Sequence, residues 1–388
     1  MKLFSPFSRD IFSSMFTIAL LAASLYAADA EVLARIEPRM QEHVERGAIN
    51  GAVTLLIEKG QTVHFAATGW ADKENNVPMR KDSIFQIMSM TKPFTGVGIM
   101  MLVEEGKLNL HDPVAKYLPE FREKPNVLVR HLMTHTSGMA TNPPGEKMDW
   151  YYSMNVTLEE AVKFYATTPL QQEPGTKWVY SNMGIATLGR LIEVLSGTRY
   201  ETFIIQRILN PLGMSDTFFF VPENKKYRVV VNYCTKAGKL EPCGHQTLGG
   251  DSRKMRAGAI YPAPEFGLYS TAEDLSKFYL MMLNGGSYNG RRILSRASVA
   301  AMTMVQTGDL KAGHNAGTGF GLTWEVAKEP AAAAMLWSLG TFGHGGAFGT
   351  HGWVDPAKQL VGVFLVQGGY GSAEAKANFI AMASAAAN

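Results

Sequence analysis

At 388 residues, with 46% hydrophobic and 18% charged residues, the chain is long enough to bury a large core, as one domain or two lobes. The formal charge is only +3, and no run of lysine or arginine concentrates it. That excludes nucleic-acid binding through a basic face, so no nucleic-acid partner is expected.

Lys2 and Arg9 give the start of the chain a positive region, and residues 11–26 are mostly apolar, broken by small residues. Ala28-Asp29-Ala30 then reads as an A-x-A cleavage site. Residues 1–30 are expected to be a signal peptide and the mature protein to be exported, periplasmic or secreted. The alternative is a retained anchor, but the stretch is short for a membrane span and contains serines. No cysteine follows it to take a lipid, and no later stretch is apolar enough to cross a bilayer. No stable membrane anchor is therefore expected after cleavage.

Val32, Ile36, Met40 and Val44 recur at helical spacing over residues 31–46, with Gly47 as the stop and Pro38 placed to kink the helix. Residues 52–57 and 62–67 read as strands around a Lys59-Gly60 turn. Ser89 opens a mostly apolar helix that runs through Val103 to Gly106. Pro93 lies in its first turn, where a missing N–H costs little. A helix that is apolar nearly all round belongs in the interior. From about 111 to 286 the pattern is mainly helical, with helices at 158–167 and 183–196. Ser270-Thr271-Ala272-Glu273 reads as a capping box opening a helix through Leu283. Residues 229–233 read as a strand. Cys234 and Cys243 flank a Lys236-Ala237-Gly238-Lys239 turn. With Gly238 and Lys239 at its centre the cysteines would face each other, and an oxidising compartment would allow a disulfide worth ~2–3 kcal/mol at best. Two free thiols are the open alternative. With only His245 nearby, the pair falls short of a zinc ligand set. Residues 351–355 and 360–367 are strands joined by Pro356-Ala357-Lys358, and 373–386 a final helix.

This order implies an α+β chain. Residues 31–110 and 287–388 would share an antiparallel sheet flanked by both terminal helices. Residues 111–286 would form a mainly helical second lobe, with the ligand site in the cleft between lobes.

Three short motifs carry candidate chemistry. In Ser89-Met90-Thr91-Lys92 a hydroxyl and an amine share one helical face, so the lysine can take the serine's proton. A cap plus a surface lysine is the alternative, and it conflicts with the apolar helix that follows. In Tyr180-Ser181-Asn182 a phenol and an amide two residues apart point the same way if the stretch is extended. Tyr180 could relay a proton and Asn182 could hold Lys92 or a substrate carbonyl. A helix-capping asparagine beside a core tyrosine is the alternative. In His344-Gly345-Gly346-Ala347 the glycines admit a substrate against the backbone. An edge strand there would present the Ala347 N–H, together with that of Ser89, to a developing oxyanion. A turn before a strand is the alternative.

Elsewhere, His135 reads as a buried structural residue and His351 as lying a few strand positions beyond the cleft. Met148, Trp150, Tyr151 and Tyr152 either wall an acyl pocket or pack within a lobe. Gly285-Gly286-Ser287-Tyr288-Asn289 fails the G-x-S-x-G elbow at its last position. No H-E-x-x-H, phosphate loop or dinucleotide fingerprint occurs, so no metal and no organic cofactor is implied.

The three motifs, in this order and with these separations, resemble the serine β-lactamase and penicillin-recognising hydrolases. The class C β-lactamases and β-lactamase-like carboxylesterases are the nearest branches. Residues 132–138, 184–197 and 267–275 also look like family text, and the resemblance covers nearly all of the mature chain. It implies a β-lactamase/transpeptidase-like fold. It implies Ser89 as the nucleophile that becomes acylated, Lys92 or Tyr180 as general base, and the Ser89 and Ala347 N–H groups as oxyanion hole. Asn182, His344, Gly345 and Gly346 would complete the substrate site. Class C enzymes generally carry Lys-Thr-Gly at the third motif, where lysine and threonine help bind the substrate carboxylate. Here His344 and Gly345 stand instead, which implies weaker binding of an anionic β-lactam and favours small carboxylic esters. β-Lactamase, D-amino-acid peptidase or DD-peptidase-like amidase activity is the alternative. A non-catalytic penicillin- or muropeptide-binding domain fits less well, because a binder has no need of Ser89, Lys92, Tyr180 and Asn182 together. The expected partner is a small ester or amide substrate.

Overall fold

The computed structural model describes residues 28–244, 247, 248, 251–254, 256–368 and 372–387. Residues 1–27 of the expected signal peptide and His245 lie outside the described residues. Ala28–Ala30 do not: the Asp29 carboxylate accepts from the N–H groups of Glu31 and Val32 and caps the first helix. The expected cleavage site therefore overlaps a helix cap.

Eight strands form one antiparallel sheet: β1 (Gly51–Glu58), β2 (Gln61–Asp72), β3 (Val77–Pro78), β4 (Thr318–Phe320), β5 (Glu325–Ala327), β6 (Phe342–Gly345), β7 (His351–Asp355) and β8 (Leu360–Val366). Their spatial order is β4-β5-β6-β7-β8-β1-β2-β3. β1 lies between β2 and β8, which joins the two ends of the chain in one ladder, with Thr54 opposite both Ala66 and Phe364. Every residue of β1 is buried because both sheet faces are covered. Side chains alternate between the faces. Ala52 and Leu56 meet the terminal helices; Val53 and Leu55 meet the central helices.

The terminal layer is α1 (Ala30–Ala34), α2 (Ile36–Glu45) and, at the other end of the chain, α7 (Ser372–Ala386). The expected first helix is thus two pieces broken at Arg35. Pro38 accounts for the break, since it has no N–H to give the Ala34 carbonyl. Ile36 and Met40 of α2 pack with Phe379, Ile380 and Ala383 of α7 over Trp353 and Phe364.

On the other sheet face lies α6 (Ala272–Leu283), and α3 (Lys92–Glu104), α4 (Leu158–Thr167) and α5 (Asn182–Ser196) share the same core, with α5 packed on both α3 and α4. α3 is buried from Lys92 to Leu102, as its uniform apolarity requires. α6 is capped by Thr271, whose side chain accepts from the Asp274 N–H. The expected box is shifted by one residue, because Ser270 closes a two-residue strand that pairs with Phe85.

Two further expectations change. Residues 229–232 form no strand; Val230 and Val231 instead donate to the carbonyls of Ile84 and Ala71. Tyr233–Lys236 and Lys239–Pro242 do form a hairpin, with Ala237-Gly238 at the centre of its turn. Both of those residues have positive φ, 46° and 78°, the conformation a two-residue hairpin turn needs. Cys234 then stands opposite Glu241, and it is joined diagonally to Cys243 by a disulfide with Cα atoms 5.0 Å apart. Among the described residues no helix is long and apolar enough to cross a membrane.

Candidate active site

Ser89 is the second residue of a 3-10 turn, Met88–Thr91, that runs directly into α3. Main-chain N–H groups at that position have no acceptor within the helix. Met88 just before it has φ +51°, a conformation costly for a side chain of its size. Thr91 locks the turn: its hydroxyl donates to the Met88 carbonyl at 2.7 Å and accepts from the Leu268 N–H at 3.1 Å. Met88, Met90 and Thr91 are buried, whereas Ser89 stays partly exposed.

One turn later Lys92 is fully buried. Its Nζ donates to Ser89 Oγ at 2.9 Å and to the main-chain oxygen of Glu265 at 2.8 Å. Burial lowers its pKa to about 7, although the Glu265 carboxyl pulls the other way. A large share of Lys92 is therefore the free amine at neutral pH, as a base must be.

Tyr180 approaches from the segment before α5. Its phenol and the Ser89 hydroxyl line one cavity, and Lys92 Nζ lies 4.7 Å from the centre of its ring. Burial pushes the phenol well above its ordinary pKa, so it holds its proton at neutral pH. His135 fixes this segment. Its Nδ1 accepts the Ser181 N–H at 3.1 Å, its carbonyl accepts from the Val179 N–H at 2.8 Å, and its ring lies 4.4 Å from that of Tyr180. The structural role read from the sequence is the one seen, but it is exerted directly on Tyr180. Ser181 caps α5 by accepting from the Gly184 N–H. Asn182 begins α5, and its Nδ2 donates to Asn142 Oδ1 at 2.7 Å. Among the described residues no hydrogen bond joins Asn182 to Lys92, whose amine bonds to Ser89 and the Glu265 main chain.

His344 and Gly345 end β6, which is an interior strand and not the edge strand expected. The three-residue β5 pairs only with Phe342 and Gly343, so beyond Gly343 that side of β6 has no strand partner. The functional equivalent of an edge arises because β5 is short. A Cβ on Gly346 would lie 2.5 Å from the main-chain oxygen of Ile87, so only glycine allows this strand end to press against the turn that carries Ser89. Ala347 follows in an exposed turn. The carbonyl of Gly345 accepts from His344 Nδ1 at 2.8 Å, and burial pushes the imidazole down to about 3. His344 is therefore neutral and supplies no charge where a third-motif lysine would.

A cavity of about 310 Å³ opens at Ser89, lined by Tyr180, His344, Gly345, Gly346 and Ala347. Asn182 is not in its wall. Five residues that no motif signalled are: His314, Asn315, Glu325, His351 and Lys376. The Glu325 carboxylate accepts from the N–H groups of His314 at 2.7 Å and Asn315 at 2.8 Å and from the Thr318 hydroxyl at 2.7 Å. It thereby fixes the loop that sets the His314 ring 4.9 Å from Tyr180. His351 was expected beyond the cleft; strand pairing sets it opposite Gly345 and in the cavity wall. Lys376 arrives from α7, and burial lowers its amine's pKa. These five come from four separate stretches of chain, and only the sheet register and the packing of α7 bring them together. Trp150 packs on Phe164 and Tyr165 and stands outside the cavity wall, as in the lobe-packing alternative. Among the described residues no group of three or more His, Cys, Asp or Glu is arranged to hold a metal ion.

The comparisons with known proteins agree with this geometry. The sequence model of the Beta-lactamase family matches residues 36–387. An uncharacterized protein of Mycobacterium tuberculosis is 31% identical over 364 residues, spanning 84% of this chain and 88% of its own. Esterase EstB of Burkholderia gladioli is 29% identical over 385 residues, spanning 91% of this chain and 95% of its own. Among solved structures, EstCE1, a hydrolase with promiscuous acyltransferase activity, superposes with a TM-score of 0.80 at 25% identity, covering 92% of this chain and 99% of its own. With the family's sequence signature running almost end to end, the chain belongs to the Beta-lactamase family, as an enzyme of its serine-hydrolase type.

Proposed function

We propose that this protein cleaves small carboxylic esters through an acyl-enzyme at Ser89. The observation that carries the reading is a buried, partly uncharged Lys92 bonded to Ser89 Oγ, in a cavity where a neutral histidine stands at the third motif. Ser89 Oγ attacks the ester carbon and its proton passes to Lys92 Nζ. The N–H groups of Ser89 and Ala347 hold the oxyanion. Tyr180 stays protonated at neutral pH, which makes Lys92 the base and the phenol a relay. Tyr180 gives its proton to the departing alkoxide and regains one from Lys92 as the C–O bond breaks. Water then attacks the acyl carbon, its proton returns to Ser89 Oγ along the same path, and the acid leaves. The similarity to EstB and EstCE1 supports an ester substrate. The cavity lies where residues 31–110 and 287–388 meet residues 111–286, and we read these as the two lobes. The positive start, apolar stretch and A-x-A of the first thirty residues support export to the periplasm or medium.

A second reading has its own support. Lys376 lines the same cavity with no ion pair among the described residues, and it could meet the carboxylate of a β-lactam or a D-amino-acid peptide. Parallel assays with p-nitrophenyl butyrate, a chromogenic cephalosporin and D-alanyl p-nitroanilide separate the readings. Ester turnover far above the other two, lost by about 10³-fold or more in Ser89→Ala, is the expected result. Faster cephalosporin or anilide turnover would replace the ester reading. A stable adduct on Ser89 without turnover would mark a binder.

A further inference from the structure

Lys92 bonds to the main-chain oxygen of Glu265, and the chemistry above makes no use of that residue's side chain. Yet Glu265 is 0% exposed, and its enclosed carboxyl acts electrostatically on the Lys92 amine. Oε1 accepts from the Tyr261 hydroxyl at 2.8 Å, while Oε2 is buried with no partner among the described residues. Tyr151, on the helix Asp149–Ser153, and Tyr165, on α4, face it, and their hydroxyls are likewise buried and unpartnered. Tyr180 and Tyr200 stand further round the carboxyl. The cations within its field are Lys92 and Arg256, and Arg256 donates to the carbonyls of Phe266 and Gly267. A carboxyl in a cage of phenols, on the very residue that anchors the amine, is more than packing requires. A buried acid without full hydrogen bonding costs stability and is kept only where something depends on it.

We propose that Glu265 is a positioning residue for the catalytic pair: its carbonyl aims Lys92 at Ser89, and its caged carboxyl sets the fraction of Lys92 that stands as free amine. This inference rests on the acyl-enzyme reading of Ser89. Burial pushes the Glu265 acid up to about 7 and the Lys92 amine down to about 7, so near neutrality the two share roughly one proton. The shared proton has two placements. With the proton on Lys92, two opposite charges lie buried; with it on Glu265, acid and amine are both neutral. Because the two groups hold the proton about equally, both placements are populated, and part of Lys92 is ammonium while Glu265 is ionised. Ionised Glu265 draws a proton onto Lys92 and removes the base, whereas protonated Glu265 leaves the amine free. The remaining neighbours act in fixed senses, since the five phenols stay protonated and Arg256 stays charged across this range. Glu265 is the member of the group that changes charge together with Lys92.

The test reads the pH dependence of Ser89 reactivity in the intact protein. A fluorophosphonate forms an O–P bond to Ser89 with loss of fluoride, and intact mass gives the rate without needing the natural substrate. Glu265→Gln removes the titrating charge and keeps the shape. The acid limb of the rate profile is then expected to move to lower pH by roughly one unit. Tyr261→Phe removes the hydrogen bond that favours the ionised acid. It should move the limb in the same direction by less, and it gives the answer if Glu265→Gln does not fold. Identical acid limbs in the parent and both variants, whatever the plateau rates, would overturn the role of Glu265 and leave the hydrolase reading standing. A limb that moves to higher pH would overturn it equally. No adduct on Ser89 in the parent at any pH would overturn the hydrolase reading and this inference with it.

Discussion

Gly346→Ala tests the contact between the third motif and the nucleophile's turn. The new Cβ would lie 2.1 Å from Thr350 Oγ1 and 2.5 Å from the Ile87 main-chain oxygen. The threonine can rotate, but the carbonyl is main chain, and Ile87 is held by its own N–H bond to Leu268 at 3.0 Å. On the other side the Gly346 N–H is bonded to Thr350 O at 2.7 Å. Relief to an ordinary contact, about 3.4 Å, forces strand and turn apart by roughly 1 Å. The expected folding cost is about 1–3 kcal/mol. The larger effect falls on the proposed oxyanion hole, because Ala347 moves with the strand. An oxyanion donor misplaced by that distance lowers kcat by about 10²-fold, near 2.7 kcal/mol at the transition state. Gly345→Ala is the comparison, since its Cβ meets nothing closer than His351 Nδ1 at 3.4 Å. With p-nitrophenyl butyrate, Gly346→Ala should fall at least about tenfold below Gly345→Ala in kcat. Melting temperatures report the folding component separately. Equal kcat for the two variants would refute the claim that this close approach builds the site.

Three other outcomes are expected. Ester hydrolysis should rise through about pH 7 and level off above it, because Lys92 works as the amine and its pKa is lowered to about 7; below that the rate falls as Lys92 becomes ammonium, and a profile flat from pH 5 to 8 would contradict the assignment. His135→Ala should cost about 2–4 kcal/mol in urea unfolding, through a vacated core site and an unanswered Ser181 N–H. It should also lower kcat by loosening Tyr180, and His135→Asn, which tolerates the positive φ of 57° and keeps an acceptor, should recover part of both. Reducing the Cys234–Cys243 bond, whose sequence separation is 9, should lower stability by at most about 2–3 kcal/mol. A calorimetric scan with and without reductant checks that value.

Much was legible in the sequence because the signals were local. Period-two and near-3.6 patterns located strands of 351–355 and helices of 158–167 with little or no error, since each pattern reports one face meeting a core. Ser89 and Lys92 lie one helical turn apart, so helix geometry alone brought hydroxyl and amine together. The turn of 236–239 was also visible, but its centre was placed one residue late, which altered how the cysteines meet. Local patterns do not fix which residues of a turn take positive φ when Ala, Gly and Lys all compete for the place.

What the chain by itself determined, then, is the chemistry within each short segment: a serine–lysine turn, a tyrosine before a helix, a histidine and glycines at a strand end. What only the tertiary structure decided is the electrostatic and steric setting of that chemistry. Burial on every side lowers Lys92 toward neutrality and neutralises His344, and burial is a sum over neighbours from distant segments. The five extra residues of the cavity wall, and the caged Glu265 that bonds Lys92, were silent for the same reason. Their place is set by the sheet register and by the docking of α7 and the 256–268 segment. Long-range packing of that kind leaves no periodic trace in the residues it brings together.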